Sequence, residues 1–237
     1  MSNVVINPYN FAAGFTDTYS FEFDGVDEVI DLGASSTVGN TGIWSLSFWV
    51  KGASQGHYIN LFAAAYYNNW TFYEAKDANL MFRNINGVAF TLMTDVFDDN
   101  WHHIVVLRNP SGADKTLRTY KDGANETNIT LDWRFGAGGL YNGALRYIGG
   151  HATGGGIVGL MDEISVWDSE LSTADIATIY NSGTPGDLTS LSPIAWYRMG
   201  EEANWDGSNW TLTDQGSSGI DGTSVNMDEA DRKAETP

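Results

Sequence analysis

The stretch Ile43-Trp-Ser-Leu-Ser-Phe-Trp-Val50 carries a large apolar side chain at every second position from residue 44 onwards. These side chains are Trp44, Leu46, Phe48 and Val50. Successive side chains of a β-strand point to opposite faces of the sheet, so all four share one face. An amphipathic helix would instead repeat its apolar residues every three or four positions. The stretch therefore predicts a β-strand with one face buried in the core.

Alternating runs, separated by turn residues, continue on both sides of this strand. Residues 19–23 place Tyr19, Phe21 and Phe23 on one face. Asp122-Gly123 lies between two further runs, and Asp-Gly is a strong hairpin signal. The other runs lie at 28–32, 58–65, 70–74, 79–83, 88–93, 101–107, 116–121, 128–134, 144–148, 157–167, 194–199 and 210–213. Together they predict an all-β chain of short antiparallel strands.

One segment has helical rather than strand spacing. Ser172 fits an N-cap, and Asp175 three residues later completes a start that resembles a capping box. Ile176 and Ile179 then follow at helical spacing, and Gly183 ends the run. We expect one short helix here, packed across the end of a sheet.

The composition limits the classes of function. The 237 residues include 12 Lys and Arg against 30 Asp and Glu, which gives a formal net charge of −18. So acidic a chain repels phosphate backbones and anionic membranes, and we expect neither nucleic acid nor membrane as a partner. The absence of cysteine excludes disulfides, thiolate metal sites and cysteine nucleophiles. No basic-then-apolar leader and no apolar run of about 18 residues is visible, so we expect no secretory signal and no membrane span.

Five pieces of the chain, taken in order, resemble the laminin G-like family of concanavalin A-type jelly rolls. They are Phe21-Glu-Phe-Asp-Gly25 with Val29-Ile-Asp-Leu32, Leu46-Ser-Phe-Trp-Val-Lys51, Trp101-His-His-Ile-Val-Val106, Tyr120-Lys-Asp-Gly123, and Gly159-Leu-Met-Asp-Glu-Ile-Ser-Val-Trp167 running into Leu171-Ser-Thr-Ala-Asp-Ile-Ala-Thr-Ile-Tyr180. Their order and spacing over residues 21–183 make the resemblance specific. It implies an all-β, two-sheet antiparallel jelly-roll sandwich with one short helix.

The C-terminal part looks like the stretch that usually opens such a domain. The matching pieces are Ile194-Ala-Trp-Tyr-Arg-Met-Gly-Glu201, Asp214-Gln-Gly-Ser-Ser-Gly219 and Asp221-Gly-Thr223. This stretch either starts a second, truncated module or folds back onto the same sandwich. We expect the second, because so short a segment could not bury its own large apolar side chains. The expected organisation is an N-terminal arm at 1–18, one jelly roll at 19–227 completed by 193–227, and a disordered tail at 228–237.

More loosely, this terminal pattern is similar to virion proteins of marine tailed phages. That similarity implies a non-enzymatic structural protein of the particle, either a capsid decoration protein or part of a tail appendage. Its partners would be other virion proteins, a second copy of the chain or a host-surface glycan, and it would be assembled in the host cytoplasm. The alternative function is that of a free lectin-like carbohydrate-binding module. A glycoside hydrolase is a third class.

Glycosidase chemistry needs two well-placed carboxylates. Glucanases that share this sandwich carry a Glu-x-Asp-x-Glu strand, and Glu22-Phe-Asp24 begins in the same way. The motif then fails, because position 26 is Val, and position 27, which the bulged form would need as Glu, is Asp. We therefore expect no catalytic residue in this strand and no enzymatic activity.

The acidic residues could instead bind calcium, which takes several hard oxygen ligands, including backbone carbonyls. The family resemblance implies that the Asp24-Gly25 turn and Asp162 lie close together and share one ion. The alternative is that Asp24 accepts hydrogen bonds from turn amides and Asp162 bonds a neighbouring strand. Asp214 and Asp221 are weaker candidates of the same kind.

Aromatic side chains supply the candidates for contact with a ligand or partner. Exposed Trp and Tyr rings stack on sugars and are enriched in interfaces. The candidates lie in two predicted loops and are Tyr66, Tyr67 and Trp70 in one, and Trp205 and Trp210 in the other. The alternative is that these rings cap the core.

Two adjacent histidines follow Trp101 on a predicted strand. His102 and His103 therefore point to opposite faces and cannot both ligate one metal from a regular strand. His103 shares a face with Val105, so we expect it to be a hydrogen-bonded histidine of the core.

Overall fold

Two antiparallel β-sheets and one α-helix make up the described part of the chain in this computed structural model. The structure describes residues 15–33, 43–64, 71–75, 77–83, 89–109, 116–130, 144–151 and 155–237. The all-β prediction, the two-sheet jelly-roll sandwich and the single α-helix are confirmed over these residues. No helix among them is long and apolar enough to cross a membrane.

The first sheet contains, in spatial order, β10 (Ala124–Thr130), β9 (Thr116–Lys121), β8 (His102–Asn109), β3 (Trp44–Lys51), β12 (Val158–Trp167), β1 (Ser20–Asp24) and β17 (Arg232–Lys233), with β13 (Ala195–Tyr197) also paired to β12. The second sheet contains β14 (Ala203–Trp205), β15 (Trp210–Leu212), β16 (Gly222–Val225), β2 (Val29–Asp31), β11 (Leu145–Ile148), β4 (Ile59–Ala64), β5 (Thr71–Ala75), β6 (Asn79–Arg83) and β7 (Ala89–Met93).

The strand β3 lies in the middle of the first sheet, between β8 and β12. Its alternating residues Trp44, Leu46, Phe48 and Val50 are all buried in the main core. The ring of Phe48 meets the ring of Phe62 from the second sheet edge-to-face, with 4.8 Å between centroids. The alternating apolar side chains of β3 therefore form part of the contact between the two sheets.

The helix α1 (Thr173–Tyr180) begins after Ser172, which forms a capping box with Asp175. Its buried residues Ile176 and Ile179 cover the outer face of the first sheet. There they share a second apolar cluster with side chains that point away from the main core, including Val105 of β8. The predicted helix and its capping residue are confirmed, but the helix packs on the outer face of the first sheet rather than across the end of a sheet.

The C-terminal segment folds back onto both sheets. β13 extends the pairing of β12, whereas β14, β15 and β16 join the second sheet through the pairing of β16 with β2. Five large side chains from this segment lie in the main core: Tyr197, Met199, Trp210, Leu212 and Met227.

The predicted disorder of residues 228–237 is wrong. A 3-10 turn at Glu229–Asp231 leads into β17, which pairs with β1 and aligns Ser20 with Lys233. Because backbone pairing and an ion pair between Lys233 and Glu22 hold this segment, it needs none of the apolar anchors whose lack suggested disorder.

The expected N-terminal arm at 1–18 divides at residue 15. Residues 1–14 lie outside the described part of the chain. Phe15 stacks on Trp196, with 6.1 Å between ring centroids, and Arg198 donates a hydrogen bond to the carbonyl of Thr16. Residues 15–18 therefore belong to the folded body rather than to an arm.

Candidate functional site

A β-bulge in β12 places two consecutive carboxylates on the same side of the first sheet. Asp162 aligns with Trp49 of β3, but the next aligned residue of β12 is Ser165, opposite Ser47. Two residues of β12 thus stand opposite one residue of β3, and Glu163 takes a left-handed φ of 47°. Such bulges change the direction in which a side chain points. Asp162 and Glu163 both lie between the core-facing Met161 and Ile164, and thus on the outer face.

The bulge lies at a gap between two strands on the other side of β12. β1 pairs with the first half of β12, where Phe21 aligns with Met161, and β13 pairs with the second half, where Tyr197 aligns with Ile164. Residues just before β1 and just after β13 therefore meet at the bulge. This arrangement brings Asp17 and Glu201 to it.

The resulting carboxylate cluster consists of Asp17, Asp162, Glu163 and Glu201. One carboxylate oxygen from each lies within 4.8 Å of those of the others. Asp162 and Glu163 are buried, and Asp17 and Glu201 are half-buried. Four carboxylates so close together in a dry environment repel one another and need compensating donors or a cation.

Hydrogen-bond donors of the protein reach only some of the carboxylate oxygens in the cluster. Glu163 accepts hydrogen bonds from the indole Nε1 of Trp196 and from Nε of Arg198, the latter at 3.0 Å. One oxygen of Asp162 accepts from the backbone N–H of Glu163 at 2.7 Å. Oε1 of Glu201 accepts from the backbone N–H of Tyr19 at 2.8 Å.

Four buried oxygens of the cluster have no hydrogen-bond partner among the described residues. They are both carboxylate oxygens of Asp17, Oδ2 of Asp162 and Oε2 of Glu201. Burial, followed by the charge of Glu201, raises the pKa of Asp17 to about 7. Burial also raises the pKa of Asp162 well above its ordinary value, and that of Glu163 to about 8. Three carboxylates thus present unsatisfied oxygens to one another, and the cluster can hold a metal ion.

The predicted calcium ligands Asp24, Gly25 and Asp162 do not come together. Asp24 aligns with Val158, which lies four residues from Asp162 along β12, or about 13 Å at the usual strand rise. Oδ1 of Asp24 accepts from the N–H of Val26 at 2.8 Å, and the carbonyl of Gly25 accepts from the N–H of Gly156 at 3.2 Å. The register of β1 against β12 separates the turn from the cluster, so only Asp162 of the three belongs to it.

The weaker calcium candidates hold a loop together. Oδ1 of Asp214 accepts from the N–H groups of Trp196 and Gly216, each at 2.8 Å, and Oδ2 accepts from that of Gly219 at 2.9 Å. Asp221 accepts from the N–H of Asp214 at 2.9 Å. These contacts give both carboxylates a structural role in joining the loop to β13.

The sequence prediction missed Asp17, Glu163 and Glu201 as members of the cluster. A signal was present at positions 162 and 163, where two consecutive carboxylates interrupt an otherwise apolar strand. The contribution of Asp17 and Glu201 could not be found in this way, because it depends on where β1 and β13 end along β12.

Two of the five aromatic residues predicted to contact a ligand or partner lie in the described part of the chain. Tyr66, Tyr67 and Trp70 lie outside the described residues. Trp205 and Trp210 lie in paired strands rather than in the predicted loop. Trp205 ends β14, and Trp210 begins β15. Trp210 is buried, with its indole N–H donating to the carbonyl of Asp228, and Trp205 is half-buried against it, with ring centroids 5.4 Å apart. A paired hairpin, rather than a loop, turns the ring of Trp210 into the core.

A second feature is the apolar rim, formed by the most exposed large hydrophobic side chains of the described residues. Its members are Val26, 63% exposed, Tyr58, 67% exposed, and Val158 and Val225, each 38% exposed. All four lie where strands begin or end. Exposed apolar side chains gathered in one place often mark a binding surface.

The strand pairing places the four residues of the apolar rim at the same end of the sandwich. Val26 follows the end of β1, where Asp24 aligns with Val158 at the start of β12. Val225 ends β16 and aligns with Val29 at the start of β2.

Tyr58 precedes β4 at the same end. The N–H of Gly155 donates to the carbonyl of Val26 at 2.8 Å, and the N–H of Asn60 donates to the carbonyl of Gly155 at 3.3 Å. Hydrogen bonds thus connect the β1–β2 turn, the start of β4 and the segment before β12 at this end of the sandwich. The strand pairing places Val158 on the outer face of the first sheet and Val225 on the outer face of the second.

Comparison with known sequences identifies one family. A laminin G-type sequence profile, described as the concanavalin A-like lectin/glucanases superfamily, matches residues 24–177. A search of curated protein sequences gives no match.

Solved structures share the fold at low sequence identity. A proposed carbohydrate-binding protein from Bacteroides ovatus is 13% identical, with a TM-score of 0.64 over 90% of this chain, and the chain spans 59% of that protein's length. A heptameric SAP-like pentraxin from Limulus polyphemus is 15% identical, with a TM-score of 0.54 over 83% of this chain and 92% of its own. The binding domain of botulinum neurotoxin serotype D is 13% identical, with a TM-score of 0.53 over 87% of this chain and 56% of its own.

Proposed function

Because the chain belongs to the concanavalin A-like lectin/glucanases superfamily, we propose that it is a non-enzymatic recognition module that binds carbohydrate at the apolar rim. The observation that carries this proposal is the exposure of Tyr58 and Val26, which lie on neighbouring segments joined through Gly155 at one end of the sandwich. An aromatic ring exposed among aliphatic side chains can stack on the apolar face of a sugar. The likeness to a proposed carbohydrate-binding protein supports the choice of ligand.

A catalytic role finds little support in the strand that begins like a glucanase motif. Glu22 forms an ion pair with Lys233 at 2.7 Å, and Asp24 accepts from its own turn. Glycoside hydrolysis requires a pair of carboxylates that flank the bond to be cleaved, whereas these two are engaged in contacts that hold the fold. These contacts favour binding without chemistry.

Glycan binding is tested by substituting Tyr58, the aromatic member of the apolar rim. We expect glycan-array signals and the affinity for the best glycan to fall about tenfold or more in Tyr58→Ala, equivalent to ~1.4 kcal/mol. Tyr58→Phe keeps the ring and should retain most of the affinity. Equal binding by wild type and Tyr58→Ala, with the fold intact by circular dichroism, would show that the rim is not the site.

We also propose that the module serves as a structural component of a phage particle, with other virion proteins as partners. This proposal rests on the similarity of residues 194–223 to virion proteins of marine tailed phages. Mass spectrometry of purified particles from a phage that encodes the chain should find it at structural stoichiometry. Its presence only in the lysate and never in particles would contradict the proposal.

The metal that suits the carboxylate cluster best is Ca²⁺. Carboxylates are hard oxygen ligands, and Ca²⁺ accepts irregular sets of six to eight oxygens, whereas Mg²⁺ demands near-ideal octahedral geometry. Asp17, Asp162 and Glu201 would supply the protein ligands, because Trp196 and Arg198 already occupy Glu163. The alternative is a proton shared between Asp17 and Asp162.

Thermal melting with and without calcium separates these two possibilities. We expect calcium at about 100 times its Kd to stabilise the protein by ~2.7 kcal/mol, and EGTA to reverse the rise in Tm. Asp162→Asn should abolish the rise, whereas Asp24→Asn should retain it, since Asp24 lies outside the cluster. A Tm that is the same in calcium and EGTA would favour the shared proton.

A further inference from the structure

Two chain segments cross at the carboxylate cluster, and together they form what we call the clasp, residues 15–19 and 198–201. Oε1 of Glu201 accepts from the backbone N–H groups of Thr18 and Tyr19. In return, Arg198 donates to the carbonyl of Thr16, and its guanidinium lies 4.4 Å from the ring centroid of Phe15. The segment before β1 and the segment after β13 thus hold each other directly.

Each segment of the clasp contributes one carboxylate to the cluster, and β12 contributes the third. Asp17 comes from the first segment, Glu201 from the second, and Asp162 from the strand beneath them. All three carry unpartnered buried oxygens, and Asp162 has no exposed surface at all. A fully buried oxygen without a donor, directed at two further carboxylates, indicates a position for a cation.

The negative charges of the carboxylate cluster are balanced either by bound protons or by such a cation. Four carboxylates face the guanidinium of Arg198, which is already bonded to Glu163. The guanidinium of Arg232 also lies beside the clasp, but it stacks on the ring of Tyr19 at 4.6 Å from the centroid. Repulsion among the carboxylates of Asp17, Asp162 and Glu201 acts to separate the three chain segments that carry them. A divalent cation reverses the sign of this interaction, because it attracts all three at once.

We propose that a bound divalent cation fastens both segments of the clasp to β12 through Asp17, Asp162 and Glu201, and that its removal releases residues 15–19 and 198–201 while the rest of the sandwich stays folded. This inference rests on the calcium proposal above. It adds that the ion controls the order of one particular region, residues 15–19 and 198–201.

The release is local because the neighbouring segments have anchors of their own. Tyr197, directly before the clasp, is fully buried, and its hydroxyl donates to the carbonyl of Ile220 at 2.7 Å. Phe21, two residues beyond the clasp, lies in the main core and pairs with Met161. Neither contact involves the carboxylate cluster, so β13 and β1 remain in place when the cation leaves.

Hydrogen exchange on the full chain tests the proposal, with Ca²⁺ as the probe. We expect the backbone amides of Thr18 and Tyr19 to exchange about tenfold or more slowly in excess CaCl₂ than in EGTA. Amides of β3 and β8, far from the clasp, should exchange at the same rate in both.

Two variants connect the effect to the proposed ligands. Glu201→Gln removes a ligand charge but keeps the acceptor oxygen, and it should make exchange at residues 15–19 independent of calcium. Glu202→Gln, at the exposed neighbouring position, should leave the calcium effect unchanged. If Glu201→Gln does not fold, Asp17→Asn carries the same test.

The outcomes separate this proposal from the one on which it rests. If titration calorimetry on the full chain detects no calcium binding, both proposals are overturned. If calcium binds and raises Tm but exchange in residues 15–19 and 198–201 does not change, the ion is purely structural and the clasp proposal alone is overturned. Calcium-dependent protection of these residues, lost in Glu201→Gln and kept in Glu202→Gln, supports it.

Discussion

The two adjacent histidines at the start of β8 have pKa values that are shifted in opposite directions. His102 lies between two carboxylates, with Nδ1 2.8 Å from Asp122 and Nε2 3.1 Å from Asp98. The hydrogen bond to Asp122 raises the pKa of His102. His103 is fully buried, and burial lowers its pKa to about 3. The prediction that His103 is a hydrogen-bonded core residue is confirmed, since its Nε2 lies 2.8 Å from Oγ of Ser47.

The raised pKa of His102 predicts a pH-dependent contribution to stability. A group whose pKa is higher in the folded state stabilises fully below its unfolded pKa of about 6.5, and this contribution is lost as pH rises through the folded value. We expect His102→Gln to lower the free energy of unfolding by ~1 kcal/mol near pH 6, and by less at alkaline pH. Urea denaturation over a range of pH measures the difference.

The control for this prediction is His57→Gln, because His57 is exposed and its ring nitrogen lies beside a backbone carbonyl. It should lower the free energy of unfolding by less than His102→Gln does near pH 6. A loss of stability in His102→Gln that is the same at every pH would mean that the two carboxylates contribute no charge interaction with the ring.

Within the single strand β12, the sequence pattern predicts the strand itself but not the direction of every side chain. The alternation at 157–167 predicts a strand, and β12 spans Val158–Trp167. The same alternation would place Asp162 and Glu163 on opposite faces, which the bulge prevents. A bulge depends on how two partner strands pair with the third, and that information lies elsewhere in the chain. The position of β12 could therefore be predicted, whereas the direction of its carboxylates could not.

The short strand β17 could not be predicted from its own sequence. Its two residues, Arg232 and Lys233, show no strand pattern, and their backbone pairing with β1 creates the strand. Arg232 also lies between the rings of Tyr19 and Trp210, with its guanidinium 4.6 Å and 4.9 Å from their centroids. Because the contact with Tyr19 joins residues far apart in the sequence, no local pattern predicts it.

The helix α1, by contrast, is specified locally, and its cap gives a direct prediction. The N–H of Asp175 donates to Oγ of Ser172 at 3.2 Å, and Oδ2 of Asp175 accepts from the N–H of Ser172 at 2.9 Å. Ser172→Ala removes the first bond and should destabilise the protein by ~1 kcal/mol, or about 2–4 °C in Tm. Calorimetry measures this, with Thr173→Ala as a control expected to stay within about 0.5 kcal/mol of wild type. Equal losses in both variants would exclude a specific role for the cap.

At the scale of the whole molecule, the C-terminal segment is part of one core rather than an appendage. Its side chains Tyr197, Trp210, Leu212 and Met227 are buried with those of both sheets. We expect a chain that ends after Ser192 to lose cooperative unfolding, because it would expose the surface that these residues cover. Near-UV circular dichroism and binding of a hydrophobic dye measure the loss of fixed packing. Cooperative unfolding of the shortened chain would instead show that residues 15–192 can fold alone.

A matched pair of point variants tests the same conclusion without shortening the chain. Trp210→Ala removes a core ring and should cost about 3–5 kcal/mol. Val225→Ala, in the next strand but 38% exposed at the apolar rim, should cost less than about 1 kcal/mol. Denaturant unfolding of both measures the contrast, and similar values for the two would place Trp210 outside the cooperative core.

The sequence by itself determined the β class, the buried face of β3, the capped helix and the acidic, cysteine-free composition. These features follow from the period of apolar residues and from capping chemistry, which act between residues close in the chain. Only the tertiary structure decided that Asp17, Asp162 and Glu201 share one site, that Asp24 does not, and that Val26, Tyr58, Val158 and Val225 lie at one end of the sandwich. Strand register decides these relations, and register is set by pairing between segments as far apart as β1 and β12 or β2 and β16.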